Sequence, residues 1–336
     1  MLKVGLIGAG RIATVHARAI SANPNSELVA VADVFAENAE KLVERFGGSV
    51  RTTDEIIRDP EIDAVLIASS TDTHSNLIEA ATTAGKAVLC EKPVDLSLER
   101  ALACQASVAE TGKAVMIGFN RRFDPNFSDL KRSIEADEIG KAELLTITSF
   151  DPAPPPVEYV KVSGGLFRDM MIHDFDMSRF LTGKTPVTIS AVGSCLVDAE
   201  IGNAGDVDTA VVTLTYEDGS IAVINNSRRA VYGYDQRVEL LGAKGLIQAQ
   251  NMIENTVVKY TETGVVSAKP TYFFLERYMP SYANEWNAFV ESLLDDKALP
   301  VSLSDGVIAL AMAEAATQSL ATGKPVDLSS ILGNDN

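Results

Sequence analysis

Three side chains in Asp169-Met-Met-Ile-His173-Asp-Phe-Asp176 have the types and spacing to move a proton. On a helix at about 100° per residue, Asp169, His173 and Asp176 fall within a sector of roughly 60°. An imidazole with one carboxylate to orient it and a second beside it is how a general base is assembled. The plain alternative is a solvated i,i+4 charge pair on a helix surface. Far upstream, Lys92 stands in Glu91-Lys92-Pro93, directly after the apolar run Ala87-Val-Leu-Cys90. A lysine at the carboxyl end of a buried strand is either a surface charge beside Glu91 or a cation that stabilises charge developing on a reacting oxygen. Pro93 fixes the local backbone and is the residue type that accepts a cis bond. No Cys/His cluster has metal-ligand spacing, so no metal is expected.

The chain opens with a second arrangement that carries chemistry. Lys3-Val-Gly-Leu-Ile7 is a short apolar run, and Gly8-Ala-Gly10-Arg-Ile-Ala13 follows before helical spacing begins. Between a strand and a helix, Gly8 permits a tight turn and Gly10 lets a pyrophosphate approach the backbone. Ala13 then allows close helix–sheet packing. The helix N-terminus supplies unpaired N–H groups to the phosphates, with Arg11 and Ile12 lining them. Asp33 ends the next strand, 25 residues after Gly8. A carboxylate there can accept both ribose hydroxyls and would repel a 2′-phosphate, which selects NAD over NADP; the alternative is a turn residue. Ser69, Thr71 and His74 follow the third apolar strand, where they would flank the nicotinamide half. His74 can equally be a helix-start residue with its ring packed.

These groups need elements to hold them. At 336 residues the chain exceeds one ordinary core, so two domains are expected, over 1–120 and 121–336. Apolar runs at 3–7, 27–32, 64–68, 87–90 and 114–118 alternate with helical stretches at 36–46, 75–85 and 97–111. That alternation predicts an α/β Rossmann domain with a doubly wound parallel sheet. Past residue 120 the rhythm changes. A helix near 125–136 precedes a strand over Ala142–Ser149, and Asp151-Pro-Ala-Pro-Pro-Pro156 must be an ordered loop or lid. The helix bearing His173 comes after Gly164-Gly165. Strands with hairpin signals then run from Val187 to Ser267, and helices near 280–295 and 303–321 end the chain. The second domain is thus expected to be α+β on a large, mostly antiparallel, open-faced sheet.

Hydrophobic residues at 46% and charged residues at 22% are ordinary for a globular protein, and the formal charge of −17 argues against nucleic acid or an anionic membrane as partner. No long apolar stretch marks a signal peptide or a membrane span. Cys90, Cys104 and Cys195 lack metal or disulfide spacing and read as reduced thiols, which fits a cytoplasmic protein.

With Gly8-x-Gly10-x-x-Ala13, Glu91-Lys92-Pro93 and Asp169-x-x-x-His173 in this order, the whole chain resembles the glucose–fructose oxidoreductase/inositol dehydrogenase (Gfo/Idh/MocA) family. Gly118-Phe-Asn-Arg-Arg-Phe-Asp124, Ser163-Gly-Gly-Leu-Phe-Arg-Asp-Met170, His173-Asp-Phe-Asp176 and Tyr232-Gly-Tyr-Asp-Gln236 resemble its inositol dehydrogenase branch. The resemblance implies that Lys92, Asp169 and His173 are catalytic and that Glu91 and Lys92 border the cofactor. It also implies that Arg122, Asp176 and Tyr232 or Tyr234 join the catalytic residues in binding polyol hydroxyls. Asn120 and Asp151 are further candidates, and edge packing on the sheet is the alternative for the tyrosines.

The implied reaction is NAD-dependent oxidation of a cyclitol hydroxyl to a ketone, foremost myo-inositol to 2-keto-myo-inositol, by a homotetramer. A scyllo- or chiro-inositol or sugar dehydrogenase, an NAD-using glycosidase and a non-catalytic NAD-binding regulator stay open, and the full catalytic set speaks against the last. One departure concerns Ser149-Phe150-Asp151-Pro152, where some inositol dehydrogenases carry histidine and asparagine as substrate contacts. It leaves the stereoisomer undecided and the reaction type intact.

Overall fold

The computed structural model describes residues 1–333. The chain divides into two compact units, Met1–Phe123 with Pro280–Leu310, and Asp124–Met279 with the chain from Ala311 onward. The division therefore differs from a single cut after residue 120, because a late segment returns to the first unit.

In the first unit, strands β1 (Leu2–Ile7), β2 (Ser26–Ala32), β3 (Ser49–Val50), β4 (Ala64–Ile67), β5 (Ala87–Glu91) and β6 (Val115–Gly118) form one parallel sheet in the order β3-β2-β1-β4-β5-β6. Every residue of β4 and β6 is buried. Burial on both faces is why these strands read as unbroken apolar runs rather than alternating ones. The strand order reverses between β1 and β4, and ligands of such sheets gather at the carboxyl ends there. Local signals set the helix ends. Thr52 and Glu55 form a reciprocal capping box, Ser97 caps the helix Leu98–Thr111, and Gly112 closes it at φ 63°. The returning segment docks by Trp286, 1% exposed, whose Nε1 donates to Ser26 Oγ at 2.9 Å.

In the second unit, β7 (Ala142–Phe150), β8 (Thr188–Ser194), β9 (Thr209–Thr215), β10 (Ile221–Ser227), β11 (Asp235–Gly242), β12 (Gly245–Ala249) and the short β15 (Val326–Asp327) form a sheet ordered β12-β11-β7-β10-β9-β8-β15. Only β7 and β10 run parallel; all other neighbours are antiparallel. A separate hairpin pairs β13 (Val258–Thr261) with β14 (Gly264–Ser267). Alternation along β9 and β11 separates a buried face from an open one. The helix Ile172–Thr182 covers the buried face. The open face carries Leu144, Val192, Val211, Ile221, Leu241 and Leu246, all more than a third exposed. Among the described residues no helix is long and apolar enough to cross a membrane.

Candidate active site

The glycine-rich turn has the geometry its residues require. Gly8 sits at φ +100°, and a Cβ there would lie 2.4 Å from the Ala68 carbonyl oxygen, so no other residue fits without moving β4. A Cβ on Gly10, by contrast, would meet nothing within 4 Å. That open space lies at the first turn of the helix Arg11–Ala22, whose N-terminus has no side-chain cap. Bare N–H groups beside a void fit a pyrophosphate. Asp33 is tied to the same turn, its Oδ2 accepting from Ala9 N at 2.6 Å and its Oδ1 from Phe35 N at 2.8 Å. Each oxygen keeps a lone pair for a ribose hydroxyl.

Lys92 is half-buried directly after β5, and its bond to Pro93 is cis. Its two neighbours are each held by a buried histidine. Glu91 turns inward, and its Oε1 lies 2.7 Å from His16 Nε2. His16 is 0% exposed and packs edge-on to Tyr282. Close by, the fully buried Glu285 carboxyl is pushed well above the usual carboxylate range, first by burial and then by the charge of Glu91. His74 is likewise buried, with Nδ1 at 2.8 Å from the Pro93 carbonyl and Nε2 at 3.2 Å from the Ser69 carbonyl. The packed alternative for His74 is therefore the arrangement present. Ser69 Oγ meets Thr73 Oγ1 at 2.7 Å, and Thr71 opens the short 3₁₀ turn between them.

The Asn120–Arg122 segment also lies in the first unit. Asn120 donates to Ser281 Oγ at 3.0 Å. Arg122 bonds the Pro300 carbonyl at 3.1 Å and forms an ion pair with Asp305 at 3.1 Å. In the second unit, Asp124 and Arg277, each about 1% exposed, form a buried ion pair. Part of the arginine-rich motif is therefore structural.

The expected single helix through Asp169 and His173 is broken. One helix ends at Asp169 and the next begins at Ile172. Between them Met171 N reaches back five residues to the Leu166 carbonyl, and His173 N bonds Met170 rather than Asp169. The regular i→i−4 ladder is lost there, so 100° arithmetic does not cross the break. Asp174, the next residue after His173, is 0% exposed. Its two oxygens accept from Ser149 Oγ at 2.6 Å on β7 and Asn226 Nδ2 at 2.8 Å on β10, clamping the second helix to the sheet. Asp176 follows on that helix, 1% exposed.

Asp169 has partners that no local spacing signals. Its Oδ1 accepts from Tyr159 Oη at 2.9 Å, and its Oδ2 lies 3.5 Å from Arg228 Nη2. Tyr159 stands between the proline run and Gly164 without a periodic mark. Arg228 and Arg229 are adjacent after β10, and only the fold makes the first buried. Tyr232 and Tyr234 separate clearly. Tyr232 is 43% exposed, with its hydroxyl 2.6 Å from Asp235 Oδ2, and burial and that carboxylate push the phenol up to about 12. Tyr234 is 6% exposed in an aromatic cluster with Phe273 and Tyr278. Asp151 is fixed by its backbone, bonded to Ser227 and Ala230. Among the described residues no group of three or more His, Cys, Asp or Glu could hold a metal ion.

Comparison with known proteins covers both units. Residues 2–119 match the oxidoreductase family profile with an NAD-binding Rossmann fold, and residues 131–328 match its C-terminal alpha/beta domain. The chain is 47% identical to inositol 2-dehydrogenase of Rhizobium meliloti strain 1021, over 97% of this chain and 99% of that protein. The structure of a myo-inositol dehydrogenase from Corynebacterium glutamicum superposes with a TM-score of 0.94 at 43% identity, covering 98% of this chain and 99% of that one. Scyllo-inositol dehydrogenase from Lactobacillus casei, solved with NAD(H) and scyllo-inositol, gives a TM-score of 0.90 at 30% identity, with 98% and 99% covered.

Proposed function

This chain belongs to the Gfo/Idh/MocA oxidoreductase family, and from that premise we propose that it oxidises a cyclitol ring hydroxyl to a ketone with NAD, foremost myo-inositol to 2-keto-myo-inositol. NAD, when bound, supplies the hydride acceptor. The open space at Gly10 and the bare helix N-terminus take its pyrophosphate, while Asp33 takes the ribose. His173 accepts the hydroxyl proton as the C–H bond of the same carbon is broken. Asp169 balances the imidazolium so formed, and Lys92 hydrogen-bonds the reacting oxygen. Asp176, Arg122 and Tyr232 supply polar contacts to the remaining hydroxyls; Tyr234, with its ring in the aromatic cluster, is the weaker of the two tyrosines.

The observation that carries the substrate reading is likeness along the whole chain to inositol 2-dehydrogenase. A panel of myo-, scyllo- and chiro-inositol and aldoses with NAD and NADP, followed at the NADH absorbance band, tests it. The reading requires NADH formation with at least one inositol, with NAD ahead of NADP. Turnover of aldoses alone, or sugar release from a glycoside without net NADH, would overturn it.

The same proposal places the enzyme in the cytoplasm as a homotetramer. Its three cysteines are free thiols, and burial drives the Cys90 thiol well above its ordinary value. The apolar open face of the sheet is the surface that a second copy would cover.

A further inference from the structure

Asp169 is held from two sides by residues outside the catalytic set. Tyr159 lies in the helix Val157–Ser163, which follows the proline run directly. Overall it is 47% exposed, but its hydroxyl is the shielded end and donates to Asp169 Oδ1 at 2.9 Å. Burial, then the charge and hydrogen bond of Asp169, raise this phenol above its ordinary value, so it stays a donor across the working pH range. On the other side Arg228 is 1% exposed, and its Nε and Nη2 make no hydrogen bond. Nη2 stands 3.5 Å from Asp169 Oδ2 and 4.0 Å from Asp206 Oδ2. Both Asp206 oxygens accept from Leu166 N, at 3.1 and 3.0 Å, at the start of the helix that ends in Asp169. Gly165 makes this approach possible, because at φ +82° a Cβ would lie 2.8 Å from Asp206 Oδ1.

A buried guanidinium between two carboxylates is compensated by their charge, although burial still raises the Asp206 carboxyl above its ordinary value. Asp169 is thus a fixed acceptor whose negative charge is partly spent on Tyr159 and Arg228. How much remains governs how strongly it favours a proton on His173, four residues further along the chain.

We propose that Tyr159 is a positioning residue, which with Arg228 fixes the Asp169 carboxylate and moderates its hold on the His173 proton. The claim rests on the reading of Asp169 and His173 as the proton-transfer pair. Its consequence is that the helix after the proline run is coupled to the proton acceptor through one hydroxyl. The charged and titratable groups that act on this cluster are Arg228, Asp206 and Asp151.

Tyr159→Phe deletes that donor from a half-exposed ring and leaves the packing intact. The chain has only three histidines, so NMR titration of His173 is resolvable, with His173→Gln identifying its signal. In Tyr159→Phe the Asp169 carboxylate holds the imidazolium more strongly, so His173 titrates several tenths of a pH unit higher. Turnover near neutral pH falls roughly 3- to 30-fold, the deficit narrows as pH rises, and NAD affinity is unchanged. A purely structural role would lower turnover equally at every pH. Arg228→Lys shifts the titration in the same direction, and if it fails to fold, Tyr159→Phe decides alone. A His173 titration in Tyr159→Phe that superposes on wild type overturns the proposal. If the wild-type protein oxidises no polyol, the functional reading falls, while the titration still decides this inference.

Discussion

His16 and Glu91 lie 75 residues apart in sequence, yet Nε2 and Oε1 stand 2.7 Å apart. The pair fixes the end of β5 immediately before Lys92, and it places the Glu91 charge beside buried Glu285. Burial first, and then the charge of Glu91, raise the Glu285 pKa well above the usual carboxylate range in the folded protein. The unfolded chain releases that proton above the ordinary carboxylate range. The folded state then binds more protons, and this group costs stability as pH rises. Glu285→Gln removes the cost. Its stability relative to wild type should increase by up to about 1.4 kcal/mol per pH unit between the unfolded and folded pKa values. Denaturant titrations at pH 5, 6, 7 and 8 check this, and a difference independent of pH would refute it.

Gly8 and Gly10 should separate folding from cofactor binding. Gly10→Ala adds a methyl where nothing lies within 4 Å, at a backbone φ of −77° that alanine accepts. The melting temperature should stay within a few degrees while NAD affinity falls at least tenfold. Gly8→Ala must instead displace Ala68 and adopt φ +100°, so it should lower stability itself, by an amount on the order of 1–3 kcal/mol. Calorimetry and NADH fluorescence titration measure the two effects.

Cofactor choice should follow Asp33. Its replacement by serine weakens NAD and narrows the gap to NADP, because both a ribose acceptor and a charge that repels a 2′-phosphate are lost. A wild-type protein that prefers NADP by a large factor would contradict this.

His173→Ala should lower turnover by a factor of about 10²–10⁴ with NAD binding nearly intact. Asp169→Asn should lose less, since the ring remains. Wild-type activity should rise with pH as the imidazole becomes neutral. A rate flat from about pH 6 to 9 with chemistry limiting would defeat the assignment.

Light scattering at micromolar concentration should report an assembly several times the 35.9 kDa chain mass. Charged substitutions at Val192 and Val211, which face each other across β8 and β9 on the open face, should dissociate it. A wild-type monomer would remove this claim.

What the sequence alone determined is whatever local burial and turn chemistry encode. The helix expected over 36–46 is found at Ala36–Phe46, and the apolar runs at 64–68 and 87–90 mark β4 and β5. A strand buried on both faces admits little but apolar residues, so its pattern survives without knowledge of its neighbours. The turn at Gly8 is legible for the same kind of reason, because one backbone conformation is required there. Tertiary structure alone decided which distant groups meet. It sent Pro280–Leu310 back to the first unit, set β7 parallel to β10, and turned Glu91 inward to His16. It buried Tyr234 and left Tyr232 exposed, although both stand in one short motif. It also broke the helix between Asp169 and His173 and tied the second helix to the sheet through Asp174, Ser149 and Asn226. Periodicity reports which side of an element is buried. The partner on that side depends on topology and register, which place residues from remote parts of the chain within a hydrogen bond of one another.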